Sequence, residues 1–286
     1  LLIESPSYAY QKMSFDDVTF MGWFNKNPHN WVKKAKLIAH GFGRIGKTSS
    51  TNSLEAFEYN YAQGYRVFEA DLILTSDHYL VARHNWSAYL GDCFQQSIPK
   101  SKRNQPLSHK EFMNLPMNKK YTPLDFEGIA NLLKKHKDVY LITDTKEAKK
   151  EKVEKQFSII VEIAKKVDPE ILNRIIPQIY NEGMLGYIKN IYDFKSVIYT
   201  LYRTNATDEQ VIDFATKNGI KAITMYTKRY SPDFVRKLKE KGIYTFVHPV
   251  NTVHEIRLYR ETGVKGVYSD IILPKQLKKQ GFFLVH

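Results

Sequence analysis

The sequence predicts an α/β protein folded as a closed (β/α)8 TIM barrel, and three observations carry that reading. Beyond a polar, aromatic-dotted lead (residues 1–35), short apolar runs alternate with amphipathic stretches, the pattern of repeated βα units. Gly64, Gly219, Gly242 and Gly263 each follow a helical pattern and precede a strand, as a left-handed C-terminal cap requires. His40, Glu69, Asp71, His84, Asp144, Lys146, Gln178, His248 and Asp270 all fall at or just past the carboxyl ends of proposed strands. A closed barrel gathers those ends at one mouth, whereas an open sheet leaves some of them far apart.

Taken in order, the first strand is expected at 36–40, where Leu37, Ile38 and Ala39 run into His40. A polar loop at 42–50 follows; its Gly43, Gly46 and Lys47 lack the spacing of a nucleotide-binding P-loop. A helix at 53–63, stopped by Gly64, leads to a strand at 66–72 that ends in Glu69 and Asp71, and a strand at 79–83 ends at His84. The segment 90–121 breaks the rhythm with Pro99, Pro106 and Pro116 and a basic cluster of Lys100, Lys102 and Arg103. Insertions of that kind form lids or substrate loops, or plain surface excursions. Strands are then expected at 139–143, 175–178, 196–201, 222–225, 244–248 and 266–268. Helices at 125–136, 149–167, 182–191, 208–218, 232–241 and 253–261 separate or flank them. The whole of 36–286 reads as one barrel domain.

Composition bounds the function. At 286 residues, 43% hydrophobic and 26% charged, the chain suits one large core of the size of a single barrel. It contains no run of about 20 apolar residues, the length that spans a membrane. It opens on Leu1 rather than Met, so a preceding signal peptide or membrane anchor is expected, with the protein outside the cytoplasm at the cell surface or membrane. The single cysteine, Cys93, excludes an intrachain disulfide and a cysteine-based zinc cluster and is expected to be a packed small side chain. A net charge of +13 suits anionic polymers or anionic lipid surfaces, although solvated Lys/Glu faces such as 149–155 and 236–241 explain it equally. No nucleic acid is expected as a partner, since no zinc finger, RNA-recognition signature or compact basic helix is present.

The chemistry concentrates between Leu37 and Trp86. Side chains two apart on a strand share a face, so Glu69 and Asp71 can present two carboxylates to one cation. Such a pair at the end of a buried strand repels itself unless a positive charge is near. Asp144 adds a third hard oxygen donor, and these donors suit Ca2+ or Mg2+ rather than zinc. His40 and His84 end apolar strands on either side of the acidic pair and titrate in the useful pH range. The competing readings are structural histidines, and acids paired with nearby lysines.

Taken together, His40-Gly41, Thr51-Asn52-Ser53, Glu69-Ala70-Asp71 and His84-Asn85 resemble the glycerophosphodiester phosphodiesterase family, in the superfamily of phosphatidylinositol-specific phospholipase C. That family shows His-Arg-Gly, a Pro-Glu-Asn-Thr turn, Glu-x-Asp and His-Asp in these places. Further on, TPLDFEGIANLL at 122–133 is similar to its helix beginning Pro-Thr-Leu, and Asp144-Thr145-Lys146 stands where it has Glu-x-Lys. VHPVN at 247–251 and GVKGVYSD at 263–270 are similar to its Val-Trp-Thr-Val-Asn and closing Gly-Val-Asp-Gly-Ile-Ile-Thr-Asp segments.

The resemblance implies the same barrel and a divalent cation on Glu69, Asp71 and Asp144. It also implies His40 and His84 as acid and base, in an attack by the substrate's neighbouring hydroxyl that yields a cyclic phosphate for water to open. The implied substrate is an extracytoplasmic glycerophosphodiester, either a lipid head group or a teichoic-acid-like glycerol phosphate polymer, with peripheral membrane or cell-wall association. Lys146 either contacts the phosphate or pairs with Asp144 or Glu69. Asn52 either bonds near His40 or the ligand, or caps the helix at Ser53. Gln178, Tyr202, Tyr226, His248 and Asn251 are candidates for the pocket wall. Two departures stand out: Gly41 replaces the family's arginine, leaving Arg44 or Arg203 to supply that charge, and His248 replaces its tryptophan. Two alternatives accompany this reading, a metal-independent phospholipase C-like lyase and a non-catalytic barrel that binds anionic glycopolymer or lipid head groups.

Overall fold

The computed structural model describes residues 29–279, so most of the polar lead and the last seven residues lie outside the described part. In chain order the strands are β1 (Leu37–Ala39), β2 (Arg44–Ile45), β3 (Thr48–Ser49), β4 (Val67–Leu74), β5 (Leu80–Ala82), β6 (Tyr140–Asp144), β7 (Ile175–Ile179), β8 (Ile198–Thr200), β9 (Ala222–Tyr226), β10 (Tyr244–His248) and β11 (Gly266–Ser269). Eight of them run parallel in the order β1, β4, β6, β7, β8, β9, β10, β11. Pairing of β11 with β1, Leu37 opposite Val267, and of β1 with β4, Ala39 opposite Phe68, closes the ring. The (β/α)8 barrel expected from the sequence is the fold.

Alternation along each strand explains both the core and the site. On β4, Val67 joins Ile38, Ile142, Ile176 and Ile198 in an apolar floor inside the barrel, while Phe68, Ala70 and Leu72 pack outward against the helices. The next inward positions, Glu69 and Asp71, therefore sit above that floor at the mouth. The helices Leu54–Ala62, Phe126–Lys135, Lys150–Val167, Glu182–Ile191, Asp208–Lys217, Pro232–Glu240 and Val253–Glu261 cover the outside. The four glycines read as helix stops all have positive φ.

Four details differ from the sequence reading. First, the end of the lead is not a polar tail: Trp31 and Val32, on the short helix Trp31–Lys34, are buried beneath the barrel floor. Trp31 stacks on Phe246 with ring centroids 5.4 Å apart and donates its indole N–H to Ser196 Oγ at 2.8 Å. Second, the strand read at 79–83 exists as β5 but pairs antiparallel with β4, Leu72 opposite Ala82, and stands outside the closed ring. The connection from Leu74 to Leu80 is far too short for a parallel crossover, which takes a dozen or more residues. Third, the polar loop 42–50 contains the hairpin β2–β3. The buried amide of Asn60 holds it by donating to Phe42 O at 2.8 Å and Arg44 O at 3.1 Å.

Fourth, the insertion at 90–121 has its own order. Short helices Ala88–Cys93 and His109–Met113 pack over small apolar clusters centred on Phe112 and on Phe94 with Met117. Lys102 pairs with Glu111 and Arg103 with Asp92, so two of the three basic residues spend their charge within the insertion. None of the three lines the cavity at the barrel mouth. Cys93 is exposed rather than packed, because its short helix lies on the surface.

Candidate active site

At the barrel mouth a cavity of about 320 Å³ brings His40, Glu69, His84, Asp144 and Lys146 together on one side. Gln178, Tyr202, Arg203, Tyr226 and His248 form the other. His40 follows β1 directly, in a single tight turn through Gly41, whose φ is +52°. Its Nδ1 lies 2.7 Å from Asp270 Oδ1, at the end of β11 across the barrel seam, and its Nε2 lies 4.0 Å from Glu69 Oε2. Asn251 orients Asp270, donating to its Oδ2 at 2.7 Å and accepting its backbone N–H at 2.9 Å. Burial works against the charged imidazole, but the hydrogen bond to Asp270 and the charges of Glu69, Asp270 and Asp71 outweigh it and hold His40 raised to about 9.

Beside His40, one oxygen each of Glu69, Asp71 and Asp144 lies within 4.8 Å of the others, and all three residues are buried. Asn52 and Asp71 bond reciprocally, Asn52 Nδ2 to Asp71 Oδ2 at 2.9 Å and Asp71 N to Asn52 Oδ1 at 3.0 Å. The Gly41 amide donates to Glu69 Oε2 at 2.7 Å. Lys146 Nζ lies 2.6 Å from Asp71 Oδ1 and also pairs with Asp144. Tyr180 donates its hydroxyl to the other oxygen of Asp144 and accepts the Lys146 amide at 2.9 Å.

Three carboxylates therefore face one ammonium, and Glu69 Oε1 is buried with no hydrogen-bond partner among the described residues. Burial and the neighbouring Asp71 push Glu69 up to about 8. Burial also works to raise Asp71, yet Lys146 first, then His84 and His40, bring it down to about 2. An orphaned oxygen beside two further carboxylates, one of which already pushes Glu69 upward, fits a divalent cation of the oxygen-seeking kind.

His84 lies just past β5, exposed, with Nδ1 2.9 Å from the side-chain Nδ2 of Asn85. Its pKa is lowered, chiefly by burial against the pull of Asp71. His248 ends β10 with its ring 4.5 Å from Tyr226 and 5.5 Å from Tyr268, so an aromatic face persists where the family resemblance places tryptophan. Its Nε2 is buried without a hydrogen-bond partner among the described residues, and burial, with the charges of His40 and Lys146, pushes it down to about 3. Gln178 accepts a hydrogen bond from Tyr268 at 3.2 Å.

Most of the residues singled out in the sequence thus share the cavity, and the exceptions are informative. Asn52 does not line it; it buttresses Asp71, while the helix cap is Ser53. Arg44 is exposed on β2 and does not line it either. Lys146 realises the ion-pair reading, with Asp71 and Asp144 rather than Glu69 within reach. The sequence reading did not assign roles to Asp270, Tyr180 or Tyr268. Asp270 carried a signal as a polar strand end, and Tyr180 lies two residues past Gln178, but neither contact is visible before the barrel closes.

The sequence pattern of the glycerophosphoryl diester phosphodiesterase family matches residues 43–273. The chain belongs to that family. As a glycerophosphodiester phosphodiesterase it is a phosphoric diester hydrolase, and the matched region begins just past His40-Gly41, where the largest departure lies. Solved structures agree in fold. A glycerophosphodiester phosphodiesterase from Parabacteroides distasonis superposes with a TM-score of 0.68 at 20% identity, covering 86% of this chain and 95% of that one. A phosphodiesterase from Oleispira antarctica, solved in complex with the product sn-glycerol-3-phosphate, gives 0.68 at 16%, covering 85% and 95%. A glycerophosphodiester phosphodiesterase from Thermotoga maritima gives 0.60 at 19%, covering 82% and 94%. No curated protein matches the chain in sequence.

Proposed function

We propose that the protein cleaves a glycerophosphodiester with Ca2+ or Mg2+ held by Glu69, Asp71 and Asp144, and with His40 and His84 moving the protons. The observation that carries this reading is the orphaned oxygen of Glu69 in a buried carboxylate cluster, in the same cavity as the His40–Asp270 pair. The bound cation supplies charge neutralisation at the phosphoryl oxygens. Asp270 favours the imidazolium of His40, which suits it to donate a proton to the leaving alkoxide. His84 has no carboxylate partner of its own and accepts from the Asn85 side chain at Nδ1, so Nδ1 is its unprotonated nitrogen and the one suited to take the proton from the substrate's neighbouring hydroxyl. The cyclic phosphate so formed is opened by water with the roles reversed. Lys146 keeps Asp71 ionised and pairs with Asp144.

Family membership supports a glycerophosphodiester as the substrate class, and the glycerol phosphate bound to the Oleispira antarctica phosphodiesterase is consistent with it. The net charge of +13 favours diesters presented on an anionic lipid surface or a teichoic-acid-like polymer of the cell envelope. Chelation is expected to abolish cleavage of a glycerophosphodiester and added Ca2+ or Mg2+ to restore it. His40→Ala and His84→Ala are each expected to lower kcat by about 100-fold or more. Undiminished turnover by a Glu69→Ala/Asp71→Ala variant in chelator would replace this reading with the metal-independent lyase.

A further inference from the structure

We propose that Arg203 makes the phosphoryl-oxygen contact that the residue after His40 cannot make in this chain. The inference rests on reading the cavity as a phosphodiester site and goes beyond it by naming the group that grips the anion.

The first ground is steric. A side chain on Gly41 would start 2.7 Å from Ser50 Cα, closer than Cβ atoms approach backbone, and φ of +52° disfavours any residue but glycine there. The backbone therefore excludes an arginine at this position; a simple substitution would not restore one. The second ground is what the other cations are doing. Lys146 is engaged by Asp71 and Asp144, and His40 is tied to Asp270 through Nδ1.

Arg203 is different. It lines the cavity, is exposed, and has no carboxylate partner among the described residues. Its guanidinium is nonetheless held in place. Nη1 donates to Lys146 O at 2.6 Å, and the guanidinium carbon lies 5.2 Å from the ring centre of Tyr180 and 5.3 Å from that of Tyr202. A guanidinium has five N–H groups, and the contact to Lys146 uses one nitrogen of the fork, which leaves donors for a phosphate oxygen.

Its place in the ring adds a geometric consequence. Arg203 follows β8, which lies four strands from β1 in either direction around the barrel. The strand that carries Arg203 thus stands opposite the one that carries His40, while the guanidinium reaches back to the Lys146 turn, two residues past Asp144, where it borders the carboxylate cluster.

The test uses the full chain, first with inorganic phosphate as probe and then with a diester. Arg203→Ala is expected to weaken phosphate binding, measured calorimetrically with Mg2+ or Ca2+ present, by at least tenfold. It should lower kcat/KM on glycerophosphocholine by a similar factor. Arg203→Lys should recover part of the loss as a point charge, and free guanidinium should partly rescue the alanine variant. Affinity for the metal alone and the melting temperature should stay at wild-type values. Unchanged phosphate affinity would overturn the proposal. So would a parallel loss of metal affinity, which would make Arg203 a prop for the Lys146 turn. If the wild type failed to cleave any glycerophosphodiester, the functional reading would fall, while the phosphate titration would still decide the role of Arg203.

Discussion

His248 shows how a single buried side chain connects packing to pH. Its ring is almost wholly enclosed among aromatic neighbours, and its imidazole is neutral at neutral pH because burial and nearby positive charge hold its pKa near 3. In the unfolded chain the same group protonates near pH 6.5. Between those values the unfolded state binds the extra proton, so stability rises with pH and is lost as pH falls below about 6.5. One proton gives a slope of at most about 1.4 kcal/mol per pH unit. Urea unfolding at pH 7, 6, 5 and 4 is expected to show His248→Phe losing less stability with acid than wild type. Equal losses would place the acid sensitivity elsewhere. The residues legible in sequence at this scale, His40, Glu69, Asp71, His84 and Asp144, are polar groups that interrupt apolar runs. Their partners were not legible, since the His40–Asp270 and Tyr180–Asp144 contacts join positions 230 and 36 residues apart.

Among the elements, the turn after β1 carries the most constraint. Gly41 must adopt positive φ, must leave room for Ser50, and must aim its amide at Glu69. Gly41→Ala combines a left-handed alanine, costing about 1–2 kcal/mol, with a clash against backbone that cannot move far. A loss of about 2–4 kcal/mol is expected in urea unfolding, with turnover reduced because Glu69 and His40 sit on either side of the turn. Wild-type stability in this variant would mean that Ser50 gives way. Strand positions and helix stops were readable from periodicity and glycine, as β4 and the helix Leu54–Ala62 show. The antiparallel direction of β5 was not read from alternation, because a strand alternates the same way in either direction; only the shortness of its connection to β4 distinguishes the two. The burial of Trp31 was likewise hidden, since a lone aromatic in a polar stretch has no period.

For the whole molecule, charge is the property that acts at a distance. Lys and Arg number 43 against 30 Asp and Glu, so the field is spread over the surface rather than focused in the insertion, where Glu111 and Asp92 already offset Lys102 and Arg103. Screening at 0.15 M salt shortens such attraction to about 8 Å. Cleavage of a diester on anionic vesicles is therefore expected to slow as salt rises, and to do so almost as steeply in a Lys100→Ala/Lys102→Ala/Arg103→Ala variant. A variant whose rate no longer depends on salt would assign the steering role to the insertion instead. The closed barrel itself was legible because chemistry-bearing residues recur at strand ends from His40 to Asp270.

The seam of that barrel orders events in time. Glu69, Asp71, Asp144 and Lys146 all stand on or just past β4 and β6, the second and third strands of the ring, so a growing chain carries the residues of its acidic cluster well before the barrel can close. The carboxylate that orients His40 arrives only with residue 270, on the last strand of the ring. A chain cut before β11 keeps every residue of the cluster but leaves His40 without the carboxylate that anchors it.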